Sequence, residues 1–226
     1  MEHEHHHQSK PGYSEVKVQA DYHDGHIIIR VRDDKGEGVE LEDTHEKKMH
    51  LIVVSNDLQT FLHVHPIEKE ASLFEVWVEL EPGGYFAFVD INPKAKSYSI
   101  EPLLITVGSG SSRHIHGMNK LLEDVKLTKV VNGKKATLSH TELNSGEPVS
   151  LSFNLNGETP LPYLGALGHV VVIDEQIEKF IHVHPLSDDV TDFKAHFPVP
   201  GAYKLWAEFN FADQGVIAFP YVLEVN

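Results

Sequence analysis

Short runs of β-branched and aromatic residues recur along the chain, and turn residues separate most of them. In the first half these runs are EVKVQADY, HIIIRVRD, HLIVVS, TFLHVH, LFEVWVEL, YFAFVDI and LLITV. The second half supplies ATLSHTEL, PVSLSFNL, HVVVID, KFIHVH, FKAHFPV, YKLWAEF and YVLEV. About seven short strands per hundred residues is typical of a sandwich, so the pattern predicts an all-β fold of antiparallel sandwiches, immunoglobulin-like or cupredoxin-like.

The two halves of the chain repeat one another. HLIVVSNDLQTFLHVHP at 50–66 aligns without a gap on HVVVIDEQIEKFIHVHP at 169–185, and the match keeps three histidines and a proline. After a one-residue slip, PGGY at 82–85 aligns on PGAY at 200–203. A match of this kind predicts a tandem duplication of one domain.

The stretch between the halves, GSGSSRHIHGMNK at 108–120, has the glycine and serine content of a linker. We therefore expect one sandwich at 13–107 and another at 121–226, preceded by a disordered, histidine-rich tail at 1–12. The tail has no apolar core and, as written, is neither a secretory signal nor a membrane span. No other segment approaches the roughly 20 apolar residues of a membrane helix, so no membrane insertion is expected. As it stands the sequence indicates a cytoplasmic protein, and removal of a leader would make it extracytoplasmic.

Histidine is the residue in excess, with 17 copies in 226 residues, and cysteine is absent. Without thiolate, sites of the cysteine-zinc, iron–sulfur and blue-copper types are excluded. Imidazole and carboxylate remain, and they suit Zn, Cu(II), Ni and non-haem Fe. The formal net charge of −15 argues against nucleic acid, because phosphate binding needs clustered Lys and Arg. A metal cation is the expected partner.

The three repeated histidines are expected to converge on one face of a hairpin. If Asn56 and Asp57 form a two-residue turn, His50 lies directly across from His63, with their Cβ atoms about 5 Å apart. Side chains alternate along a strand, so His65 shares the face of His63. The geometry predicts a metal site of three imidazoles.

The second repeat predicts the same site. A turn at 175–176 brings His169 opposite His182 and beside His184. Neither turn has the favoured Asn-Gly sequence, so a longer loop with a shifted register is the alternative.

A metal held by three imidazoles usually takes a fourth ligand. Asp90 and Glu208, which align with each other, are the first candidates. His45 is a further candidate in the first repeat, where the second repeat has Leu164. The alternative interpretation is that the carboxylates are solvated and that His63 or His182 merely fixes a loop through a hydrogen bond.

The run THEKKMHLIVVSNDLQTFLHVHP at 44–66, followed by PGGY and the Asp90 strand, resembles a group of largely uncharacterised bacterial β-sandwich proteins, as does LGALGH at 164–169 with FIHVHP. These proteins are related to the YtkA-like and FixH-like sandwiches, are secreted or envelope-associated, and often accompany copper-handling proteins. The resemblance implies an Ig-like fold and a link to metals, and a protein partner in metal handling is a further expectation. It supports as metal ligands His50, His63, His65, Asp90 and His45, and in the second repeat His169, His182, His184 and Glu208.

The leading functional prediction is a non-catalytic metal-binding protein that holds Cu(II) or Zn in each repeat, for buffering, delivery or sensing. One alternative is a duplicated cupin-like metalloenzyme, since HxH on a strand followed by a carboxylate also describes cupin sites. The other is a structural Ig-like module whose histidines are incidental.

Overall fold

The computed structural model describes residues 14–108 and 120–226, and the chain divides into two compact units that contain these two ranges. Within the described ranges the regular elements are strands, without a helix, which confirms the predicted all-β class. No helix in this part of the chain has the length and apolar character to cross a membrane. The predicted tail at 1–12 and residues 109–119 of the predicted linker lie outside the described residues.

The first repeat is a sandwich of two antiparallel sheets, with strand orders β1-β2-β7-β6 and β3-β8-β4-β5, and with β9 paired to β8. Its strands are β1 (Val16–His23), β2 (His26–Asp33), β3 (Leu41–Glu42), β4 (Met49–Ser55), β5 (Phe61–Val64), β6 (Ile67–Glu70), β7 (Leu73–Trp77), β8 (Gly83–Pro93) and β9 (Leu103–Val107). Because β5 belongs to one sheet and β6 to the other, the chain crosses between the sheets at His65 and Pro66.

The second repeat has the strand order β10-β11-β12-β15-β14-β13-β16-β17, again antiparallel. Its strands are β10 (Thr128–Val131), β11 (Lys134–His140), β12 (Pro148–Asn154), β13 (His169–Asp174), β14 (Phe180–Pro185), β15 (Asp192–His196), β16 (Gly201–Phe211) and β17 (Gly215–Val225). β14 pairs with β13 and, at His184 and Pro185, with β15, so it passes from one sheet to the other as β5 and β6 do.

The central strand β4 is buried on both of its faces. Leu51 and Val53 belong to the hydrophobic core between the two sheets. Since successive side chains point to opposite faces, His50 and Ile52 point away from that core, and both are only 1% exposed. Burial on both faces explains why the run HLIVVS is apolar at successive positions and does not alternate with polar residues. The first histidine of the repeated motif is therefore a buried residue on the outer face of the sheet.

A tyrosine near the start of a long strand fixes the preceding turn in each repeat. The hydroxyl of Tyr85 donates a hydrogen bond to the carbonyl of Glu81 at 3.0 Å. The hydroxyl of Tyr203 donates to the carbonyl of Val199 at 2.8 Å. A tyrosine bonded to the backbone a few residues upstream is a hallmark of immunoglobulin-like sandwiches, and it explains why the Pro-Gly-x-Tyr motif occurs in both copies.

Candidate metal centre

The register of β4 and β5 differs by two residues from the predicted one. His63 lies opposite Ile52 and not opposite His50, so the prediction that His50 and His63 are directly paired is wrong. Extending the observed register by one pair places His65 across from His50. Because side chains alternate with a period of two, a shift of two returns each histidine to the same face of the sheet. The predicted convergence therefore survives the error in register.

The cause of the shift is a loop that is longer than two residues. β4 ends at Ser55, whose backbone N–H donates to the carbonyl of Thr60 at 3.1 Å and closes the loop. Leu58 adopts a positive φ of 58° inside it. The second repeat has the same loop, with Asp174 bonded to Lys179 at 3.2 Å and Ile177 at a φ of 58°. The alternative of a longer loop is the one that forms.

The second repeat is shifted in the same way. His182 lies opposite Val171, so its predicted pairing with His169 is wrong as well. The ring centroids of His169 and His182 are 6.2 Å apart. His184 occupies the register position opposite Lys194.

Three imidazoles of the first repeat meet at one point. One nitrogen from each of His50, His63 and His65 lies within 4.8 Å of the others. His50 Nδ1 lies 3.1 Å from His63 Nε2. The ring centroid of His65 is 4.9 Å from that of each of the other two. Nitrogens around a tetrahedral zinc ion, at about 2.0–2.1 Å from the metal, lie roughly 3.3 Å apart. Small side-chain rotations would bring this group to that spacing.

A backbone carbonyl fixes the protonation of the buried ring. His50 Nε2 lies 2.8 Å from the carbonyl oxygen of Thr44. A carbonyl can only accept, so Nε2 carries the proton, and in the neutral ring Nδ1 keeps its lone pair. That lone pair points toward His63. Histidines that bind metals usually donate their other N–H to a carbonyl or carboxylate in this manner.

The carbonyl of Thr44 is positioned by a two-residue turn. Thr44 and Lys47 exchange backbone hydrogen bonds of 2.8 and 3.1 Å, and the residues between them, His45 and Glu46, have positive φ of 49° and 64°. Two successive positive φ values define a type I′ turn, which glycine or asparagine favours. A histidine and a glutamate held in this conformation place backbone strain directly beside the cluster.

The second repeat builds the same support from different residues. Tyr163 and Ala166 close the turn, with Leu164 and Gly165 at φ of 52° and 79°. The carbonyl of Tyr163 accepts from His169 Nε2 at 2.8 Å. Neither this bond nor that of Thr44 was predicted from the sequence. The glycine at the aligned turn position is the one signal of the turn that the sequence carries.

Asp90 lies directly opposite His50 in the pairing of β8 with β4. However, β8 and β5 flank β4 on opposite sides, and two strand spacings separate their backbones by roughly 10 Å. Asp90 is therefore a neighbour of His50 on the side away from His63 and His65, and it is outside the group of three. Glu208 stands in the same relation to His169 in the second repeat and is 4% exposed.

The charges of these carboxylates act on nearby tyrosines. Burial and, after it, the negative charge of Asp90 raise the pKa of the Tyr98 hydroxyl. Burial and the charge of Glu208 raise the pKa of Tyr163 to about 12. In each repeat the carboxylate therefore acts electrostatically on a tyrosine.

His45 stands at the edge of the cluster. Its ring centroid is 6.1 Å from that of His50, in an edge-on arrangement. Like Asp90, it is not among the three residues whose nitrogens converge.

The protonation of His65 favours a ligand role. Burial, followed by the proximity of His63 and the positive charge of Lys47, lowers the pKa of His65 to about 4. The ring is therefore neutral at neutral pH, and no proton competes with a metal for its lone pair.

Fold and site together define a class: a tandem β-sandwich protein with a histidine cluster on the outer face of its first repeat. The family model described as Domain of unknown function (DUF8832) matches residues 8–108 and 129–226. The chain belongs to this family.

Comparison with curated proteins gave no match. Among solved structures, CopC from Methylosinus trichosporium OB3b is 17% identical at a TM-score of 0.28, over 44% of this chain and 93% of its own. A two-domain fibronectin type III segment of chicken tenascin is 14% identical at a TM-score of 0.30, over 94% and 98% respectively. Similarities this low say nothing about the function of this chain.

Proposed function

We propose that this protein binds a divalent transition metal ion, Cu(II) or Zn, at the histidine centre of each repeat, for buffering, delivery or sensing. In the first repeat the proposed ligands are His50, His63 and His65. In the second repeat they are His169, His182 and His184. The resemblance to the YtkA-like and FixH-like sandwiches adds a protein partner in metal handling to this proposal.

One observation carries the proposal: His50 Nδ1 faces His63 Nε2 at 3.1 Å while the other nitrogen of His50 is held by a carbonyl. In the neutral ring His50 Nδ1 accepts, so the proton between the two rings belongs to His63. A metal ion that binds between the two nitrogens would displace this proton, which would move to His63 Nδ1 or leave to solvent.

The candidates for the fourth coordination position in the first repeat are Asp90, His45 and a solvent molecule. Asp90 would have to reach past His50 to become a ligand, and Glu208 past His169. D90N keeps the shape of the side chain and removes its charge. A large loss of affinity in D90N would assign Asp90 as a ligand, and a small loss would leave the fourth position to His45 or to solvent.

The test is metal analysis of protein purified without nickel resin, followed by calorimetric titration with Cu(II) and Zn. Because residues 1–12 contain four histidines, the titration is repeated with His3, His5, His6 and His7 replaced by glutamine. About one equivalent per repeat is expected. Less than one equivalent in total, unaltered by H63A combined with H182A, would overturn the proposal.

Structural and adhesive modules also have the sandwich fold, so a structural role is the main alternative hypothesis to metal binding. Burial supports metal binding over incidental histidines: His50 is 1% exposed, and a backbone carbonyl fixes the orientation of its ring. Dioxygen uptake by iron- or manganese-loaded protein would instead favour the duplicated cupin-like metalloenzyme.

A further inference from the structure

The two repeats anchor their first histidine identically but surround it with different residues. In both, the residue that opens the type I′ turn accepts a hydrogen bond from the buried imidazole at 2.8 Å. The other turn residues differ: His45, Glu46 and Lys47 in the first repeat, and Leu164, Gly165 and Ala166 in the second. We call these three turn residues the rim of each centre. In the first repeat they are outside the group of converging imidazoles, so they affect how an ion enters and leaves more than which atoms hold it.

Access to the rim differs between the repeats. In the first repeat Glu46 and Lys47 are exposed and His45 is partly exposed. In the second repeat Leu164 and Ala166 are 7% and 2% exposed. Gly165, between them, is exposed. A competing chelator must approach the metal before it can take it, and the buried apolar side chains of Leu164 and Ala166 oppose that approach.

The carboxylate opposite the first histidine is also more exposed in the first repeat than in the second. Asp90, opposite His50, is partly exposed, whereas Glu208, opposite His169, is 4% exposed. A charge interacts more strongly in a buried, low-dielectric environment than at the surface. A dication in the second repeat therefore gains more from its carboxylate neighbour than one in the first.

The two rims also differ in positive charge. Lys47 closes the turn whose first residue, Thr44, accepts the hydrogen bond from His50, so a positively charged residue stands at the rim of the first centre. A positive charge at this position disfavours a dication, and the neighbouring carboxylate of Glu46 offsets part of that effect. The aligned residue of the second repeat is Ala166, which carries no charge.

We propose that the two centres have different tasks: the first repeat exchanges its ion readily with external ligands, and the second retains its ion. This inference rests on the proposed metal binding. His45 gives the first rim a ligand that can bind an ion as it arrives or departs. The second rim offers a leucine at the same position.

The experiment uses the full chain, with the four tail histidines replaced by glutamine, loaded with two equivalents of Zn. A chromophoric chelator is mixed in excess, and release is followed by stopped flow. Two phases of equal amplitude are expected, with rates that differ by about tenfold or more. H63A should remove the fast phase and H182A the slow one.

The rim itself is tested by giving the first repeat the residues of the second. H45L combined with K47A should slow the fast phase by about tenfold, which corresponds to a barrier about 1.4 kcal/mol higher. K35A, at an exposed turn residue of the first repeat, removes the same charge elsewhere and should leave both phases unchanged. Circular dichroism checks that each variant is folded.

The outcomes separate the two proposals. Two bound ions released in one phase, or a fast phase lost in H182A, would overturn the division of tasks and leave metal binding standing. An unchanged fast phase in the double rim variant would also overturn it. No bound Zn would overturn the proposed function and this inference together.

Discussion

His50 Nε2 donates to the carbonyl of Thr44 at 2.8 Å, and the same bond, also at 2.8 Å, joins His169 to Tyr163 in the second repeat. A buried imidazole needs a partner for its N–H, and here the backbone supplies it whatever side chain stands at the turn. The bond leaves Nδ1 of each neutral ring as the atom that can accept a metal.

Removal of one imidazole of the triad should abolish tight binding in the first repeat. H63A is expected to weaken Cu(II) or Zn affinity there by 100-fold or more, since loss even of an outer partner of a metal ligand costs about 10–100-fold. Calorimetric titration should show one equivalent lost. H140A, at an exposed histidine bonded to the carbonyl of Thr141, is the matched control and should bind like the parent protein.

The strained turn beside the site should accept glycine. Glu46 has a φ of 64°, and the aligned residue of the second repeat is Gly165. E46G is expected to stabilise the first repeat by about 1 kcal/mol, because a left-handed backbone conformation costs roughly 1–2 kcal/mol with a Cβ and almost nothing without one. Denaturant unfolding measures the difference. E46A keeps the Cβ, and an equal gain in that variant would show that strain is not the cause.

Acidification should destabilise the metal-free first repeat. The pKa of His65 is lowered to about 4 in the folded protein, against 6.5 as its ordinary value. Between these values the unfolded chain binds a proton that the folded chain does not, so stability falls as pH falls from about 6.5 to about 4. Denaturant unfolding in the presence of a chelator, at several pH values, should show this slope. H65Q should flatten it, and an equal slope in H65Q would assign the effect to other groups.

A methyl group at Gly168 should disturb the second centre. A Cβ built there would lie 2.6 Å from the ring of Phe209 and 2.8 Å from the carbonyl oxygen of Glu208. G168A is expected to destabilise the second repeat by about 1–3 kcal/mol, the usual cost of overpacking. Gly84 has open space around its Cβ position and no positive φ, so G84A is the control for thermal unfolding. Equal loss in both variants would contradict the packing argument.

The sequence predicted the class of fold and the three histidines on one face more securely than the pairing between them. Whether the three side chains share a face depends only on whether the register is shifted by an odd or an even number of residues. An error of two in the predicted register therefore left them on the same face. The register depends on the loop after Ser55, where Leu58 adopts a positive φ that no residue type in the loop signals. Propensity alone therefore favoured a shorter turn than the one that forms.

The sequence by itself determined the duplication, the all-β class and the shared face of His50, His63 and His65, because all three follow from local repetition and from the two-residue period of a strand. Only the tertiary structure decided which atoms meet. The order of strands places Asp90 on the far side of His50 from the other two imidazoles. The turn that brings the Thr44 carbonyl to His50 is a matter of backbone geometry, and backbone hydrogen bonds to a side chain leave no trace in residue identity.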